Sequence, residues 1–211
     1  MMKDMSTHEM NVIRTLGLTK RFGKETVVDS LELQVPSGVV YGFLGPNGSG
    51  KSTTMKMLLG LMEPTAGEVY LFGQRLNHSN RARLLRTIGS MIEAPPGYGH
   101  LTGWENMCVV QSMLGLERRN IEQALETVHL TAHKDKLVKN YSLGMKQRLG
   151  IAMALARNPK LLILDEPANG LDPAGIEEVR ELLIELAAQG ITVMVSSHLL
   201  DEVDKTATMH Y

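Results

Sequence analysis

Residues 45–53 read GPNGSGKST, and the fold follows from what stands on either side of them. Before them, VVYGFLG (39–45) is an apolar run of strand length; after them, Met55, Leu58, Leu59 and Met62 recur at i, i+3, i+4 and i+7, the spacing of one helix face. A glycine-rich turn that leaves a buried strand and opens a helix fits G-x-x-x-x-G-K-[ST], and this context is what the pattern requires. Glycines at 45, 48 and 50 let the backbone curl so that successive N–H groups point inward at a triphosphate, while the helix adds the positive end of its dipole. Lys51 is expected to reach the β- and γ-phosphates and Ser52 to ligate Mg²⁺, with Asn47, Ser49 and Thr53 completing the cradle.

Working outward, the chain upstream reads as strands: VIRTLGL, then TVVDSLELQV, alternating apolar and polar, then the turn PSG. Downstream come a short strand EVYLFG, a polar helix SNRARLLRT and the strand IGSMIE. From Thr102 to Asn140 the signal turns helical, with Met107, Val110 and Leu114 on one face of a first helix and Ile121, Ala124, Leu125 and Val128 on a second. The rest alternates: a helix from Leu143 to about Ala156, the strand LLILD, a helix from Pro173 to about Ala188, the strand ITVMVSS and a short last helix. Asp172 is a good N-cap for the helix at Pro173, and Gly190 closes its far end. Strands alternating with helices of this length predict an α/β fold: a mainly parallel sheet of the P-loop NTPase kind, an N-terminal antiparallel β subdomain and an inserted helical subdomain.

In an open parallel sheet ligands gather at the carboxyl ends of the strands, where the phosphate loop also lies. LLILD ends there in Asp165, followed by Glu166. Asp165 is placed to hold Mg²⁺, directly or through water, and Glu166 to polarise a water for attack on the γ-phosphate. His198 follows ITVMVSS at the same edge; the residues alone allow either a ligand contact or a surface position at a helix start. Glu93 closes IGSMIE before the proline- and glycine-rich APPGYG, and by itself reads as a solvated loop charge.

Composition narrows the class. In 211 residues, 43% apolar and 21% charged, neither disorder nor a membrane class is favoured. The net charge of −1, with no long basic run, gives no sign of a nucleic-acid partner. One cysteine, Cys108, rules out an intrachain disulfide and fits a reducing compartment. No segment approaches the roughly 18 to 20 continuous apolar residues of a membrane helix, and MMKDMSTHEM is too polar for a signal peptide.

The order GPNGSGKST, YSLGMKQRLGIA, LLILDEP, NGLD, SSH resembles the nucleotide-binding domain of ATP-binding cassette (ABC) proteins, from about Val12 to Asp204. YSLGM stands where the family signature, usually LSGGQ, belongs; it keeps Ser142 and Gly144 and departs at Leu143 and Met145. The resemblance implies ATP and Mg²⁺ as ligands and ATP hydrolysis as the activity. It implies that Ser142 and Gly144 act in trans on the ATP of a second ABC ATPase subunit, a copy of this chain or a paralogue, head to tail. Asp172 would lie in the loop between the two sites, and His198 would contact the γ-phosphate. Phe22 would stack on adenine beside Val28, although Phe22 also reads as a core residue of its strand.

Most of the family carries glutamine where this chain has Glu93, and an acid followed by a proline-rich loop resembles the ATPase subunits of bacitracin-type and lantibiotic-immunity exporters. The resemblance makes Glu93 a third metal-side residue, at the end of its strand, and its loop the seat of a membrane permease on a separate chain. The chain would then be cytoplasmic, peripheral on the inner face of the membrane, and would energise export of an antimicrobial peptide or hydrophobic drug. The alternatives are a non-transport cassette acting on ribosomes or DNA and a shortened cassette that binds ATP with little activity. The first lacks a second phosphate loop or a coiled coil. The second is raised because DEVDKTATMHY stands where the family continues into two further strands. One domain over 1–211 is expected: a flexible 1–11, a nucleotide core with its β subdomain over about 12–92 and 158–205, and a helical lobe over about 100–157.

Overall fold

The computed structural model describes residues 11–93 and 97–197. Strand β1 (Ile13–Phe22) is the hub of an antiparallel sheet: it pairs with β2 (Glu25–Leu31) and β3 (Gln34–Val35) on one edge, and with β5 (Ala66–Leu71) on the other. The short β6 (Gln74–Arg75) extends β5. The run expected as one strand, TVVDSLELQV, is two: β2 ends at Leu31, one residue past Ser30 with its φ of +48°, and β3 begins at Gln34.

The second sheet is parallel, in the order β4 (Val40–Leu44), β9 (Thr192–Ser197), β8 (Leu161–Asp165), β7 (Ile88–Met91). Alternation along these strands divides the interior. Val40, Leu162, Leu164, Val193 and Val195 face a core built with α5 (Leu143–Leu155), α6 (Pro173–Ala188) and the helical region. Tyr41, Phe43, Leu161, Ile163 and Met194 face a core shared with α1 (Lys51–Leu58) and the antiparallel sheet. Every residue of the central strands β8 and β9 is thus buried whichever way it points, which is why LLILD reads as an apolar run up to its final acid.

The helical region holds α3 (Gly103–Leu114) and α4 (Arg118–Thr127). Thr102 and Glu105 form a reciprocal capping box that starts α3, and Gly115 at φ +64° ends it. The expected helix SNRARLLRT shrinks to α2 (Arg81–Leu85), since Asn77 and Asn80 use their side chains to fold the preceding turn instead. Two strand and helix ends differ little from expectation: α6 spans its predicted residues and α5 stops one residue early. The expected last helix lies outside the described residues.

Candidate functional site

The loop from Gly45 to Gly50 joins β4 to α1. Gly48 and Gly50 sit at φ +83° and +91°, conformations that an L side chain rarely takes, and a Cβ at Gly50 would come within 2.7 Å of the Val27 carbonyl oxygen and 3.0 Å of Val28 Cγ2. The cradle is therefore pressed against β2, and this contact brings Val28, buried, up to the loop. Ser49 N donates to Pro46 O within the loop, and Thr54 N to Gly50 O as the first helical hydrogen bond, which leaves the N–H groups of the first turn, Lys51 to Thr53, for a ligand. Asn47 and Ser49 are exposed, and Ser52 and Thr53 half-buried on the first turn of α1.

Lys51 is only 7% exposed. Its ammonium donates to the carbonyls of Gly45 (2.6 Å) and Pro46 (3.0 Å) and lies 3.5 Å from Glu166 Oε1. A buried cation needs such partners, and here all are groups at the mouth of the loop.

The acids stand two strands away, with β9 between them and β4. Asp165 and Ser196 are register partners across β8 and β9. Ser196, fully buried, donates its hydroxyl to Asp165 Oδ1 at 2.5 Å and accepts from Glu166 N at 2.9 Å. One hydroxyl thus fixes both acids. Glu166 itself takes φ +48°, turning the chain sharply at the strand end. Ser196 was not singled out from sequence; its only signal is a hydroxyl at the end of a strand whose middle, Val193 to Val195, is apolar.

Among the described residues no three His, Cys, Asp or Glu side chains gather as a metal cluster. That suits Mg²⁺ on a triphosphate, which uses one or two carboxylates together with phosphate oxygens and water rather than an all-protein cage. Asp165, at the carboxyl end of β8, and the Ser52 hydroxyl, on the first turn of α1, are the oxygen donors expected from the sequence to hold such an ion.

Glu93 differs from expectation. The strand stops at Met91, and Glu93, two residues on, has φ +71°, which cannot continue an extended ladder. Its carboxylate accepts from Lys56 Nζ at 2.6 Å. Lys56 lies one turn below Ser52 on α1, so the pair joins the loop's start to the helix that carries the cradle. The Lys56 hydrogen bond, and then its charge, hold the Glu93 carboxyl below the ordinary carboxylate range. Its folded value being depressed, the pair is intact at neutral pH and is lost only as pH falls through that lowered value.

Phe22 ends β1 with half its surface exposed and Lys20 Nζ 5.2 Å from its ring centre; it is not a core residue, and an aromatic face is open for stacking. Ser142 is the N-cap of α5, accepting from Met145 N at 3.2 Å, with Gly144 in its first turn. Asp172 caps α6 in the same manner, accepting from Gly175 N at 3.0 Å. His198 lies outside the described residues.

The ABC transporter family profile matches residues 28–169. The bacitracin transport ATP-binding protein BcrA of Bacillus licheniformis is 48% identical over 92% of this chain, and the chain spans 64% of that relative's length. The lantibiotic transport ATP-binding protein SrtF of Streptococcus pyogenes is 46% identical, over 93% of this chain and 84% of its own. Among solved structures, cbiO1 from Clostridium perfringens, part of the ABC transporter complex cbiONQ, superposes with a TM-score of 0.83 at 26% identity, covering 92% of this chain and 81% of that one.

Proposed function

Since the chain belongs to the ABC transporter family of ATP-binding proteins, we propose that it hydrolyses ATP to drive a separate membrane permease that exports an antimicrobial peptide of the bacitracin or lantibiotic kind. The observation that carries the hydrolytic part is the buried Lys51 ammonium, held by loop carbonyls and 3.5 Å from Glu166. A triphosphate seated on the loop N–H groups offers Lys51 stronger anionic partners than the Gly45 and Pro46 carbonyls. Lys51 then turns to the phosphates, and Glu166 is released to orient and polarise the attacking water. Ser196 keeps Asp165 aimed, since its hydroxyl donates to the carboxylate. Mg²⁺, when bound by Asp165 and Ser52, neutralises charge on the phosphate oxygens. Phe22 and Val28 hold the adenine, and Ser142 and Gly144 of a second subunit close over the phosphates.

The cargo is argued from the named relatives and from Glu93. The test is sensitivity: cells lacking this chain should become more sensitive to bacitracin or a lantibiotic. Unaltered sensitivity to both overturns the export reading, while phosphate release from Mg²⁺-ATP by the purified protein tests hydrolysis separately.

The Glu93 pair gives a second expectation. A carboxylate is the harder oxygen ligand for Mg²⁺, and an amide in its place also takes away the charge that Lys56 faces. Glu93→Gln should shift the Mg²⁺ concentration for half-maximal ATP hydrolysis several-fold without abolishing turnover. Superimposable Mg²⁺ titrations of the two proteins would remove Glu93 from the metal side.

A further inference from the structure

Leu143 and Met145 are where YSLGM departs from the family pattern, and the structure gives Leu143 a specific seat. A Cβ built on Gly170 would meet Leu143 Cδ2 at 3.1 Å, and one built on Gly144 would meet Leu171 Cδ2 at 3.8 Å. The pairs Leu143–Gly144 and Gly170–Leu171 therefore interlock, each leucine lying over the other's glycine. Gly170, at φ +77°, is also a position that disfavours a side chain. Leu171 reaches inward to the core beneath α5 and α6, while Leu143 stays 43% exposed.

The interlock joins two helix starts. From Glu166 the chain turns through Asn169 N donating to Glu166 O (3.1 Å) and Leu171 N donating to Ala168 O (3.2 Å), then enters α6 at Asp172. Opposite it, Ser142 and Gly144 begin α5. Further along, Arg148 and Glu178 stand 3.6 Å apart between the same helices. We infer that Leu143 is a positioning residue: its contact with Gly170 fastens the Ser142–Gly144 turn to the Glu166–Asp172 loop, so that the two move as one piece. The inference rests on the reading of the chain as an ATPase. In that reading Glu166 serves the subunit's own ATP and Ser142 serves its neighbour's, and the interlock ties one site's acid to the other site's phosphate grip.

The test compares wild type with Leu143→Gly, and with Leu143→Ala, which keeps the helix propensity of α5. Hydrogen exchange of peptides covering 167–172 is read on the same preparations as kcat and the affinity for trinitrophenyl-ATP. Exchange should quicken about tenfold once the cover is gone, and kcat should fall about tenfold because a small misplacement of reacting groups is costly. Nucleotide affinity should hold, and Leu143→Met, whose thioether can cover the same glycine, should restore both. Unchanged exchange in both variants overturns the interlock. Faster exchange with wild-type kcat, or a loss of affinity matching the loss of kcat, overturns its role in turnover. Absence of turnover in the wild type overturns the ATPase reading instead, and exchange alone then judges the interlock.

Discussion

Glu166→Gln is expected to lower ATP turnover by about two to three orders of magnitude, the usual contribution of a positioned acid–base group, while leaving nucleotide binding intact. The amide keeps the shape of the side chain and the Glu166 N to Ser196 Oγ bond, so β8 and β9 stay paired as they are. What goes is the charge 3.5 Å from Lys51 and the ability to polarise water. Removing a negative charge beside the triphosphate also relieves repulsion, so the affinity for ATP should hold or rise. With hydrolysis blocked, light scattering in Mg²⁺-ATP should report a dimer. Turnover at the wild-type rate would remove Glu166 from the chemistry. A monomer with ATP demonstrably bound would mean that Ser142 and Gly144 do not close on a second copy without the permease.

Gly89→Ala is expected to lower stability strongly. Gly89 lies on β7 where α5 crosses it, and an added Cβ would stand 2.2 Å from the Ala154 carbonyl oxygen and 3.0 Å from Leu162 Cδ1. The first is helix backbone, not the tip of a flexible side chain, so α5 must lift from the sheet. Overpacking of this kind costs about 3 kcal/mol, which for a chain of this size lowers Tm by roughly 6 to 12 °C. A melting temperature within about 2 °C of wild type would show that α5 yields at no cost. Because Ser142 starts the same helix, any surviving Gly89→Ala protein should also be impaired in dimer closure.

How much of this was legible in the chain depended on whether the cause was local. The cradle was, because strand, glycines and helix are contiguous. So was α6, because Asp172 stands immediately before it and Pro173 and the apolar stripe lie within its own sixteen residues. Strand ends were less so. Glu93 and Ser30 adopt positive φ, and nothing in their side chains announces it. Non-local partners were not legible at all. Ser196 matters because β8 lies beside β9, and Lys56 because Glu93 returns to α1 from 37 residues away. The Leu143 seat required the Glu166–Asp172 loop to fold back on α5, so from sequence Leu143 showed only as a departure from a pattern.

The position of β9 between β4 and β8 also constrains when the protein can work. Gly38 N donates to Thr192 Oγ1 across 154 residues, and every pairing that links the cradle strand to the acid strand runs through β9. During synthesis on the ribosome, GPNGSGKST and LLILD both emerge well before ITVMVSS does. Until β9 enters the gap, β4 and β8 have no strand between them to pair with, and the sheet that aligns the cradle with the acids is not yet built. Such long-range parallel insertion is intrinsically slow, and the waiting strands β4 and β8 present open edges to other chains. Misassembly before β9 docks is therefore an expected hazard in making this protein, and a chaperone or a slowed translation rate would act at that step.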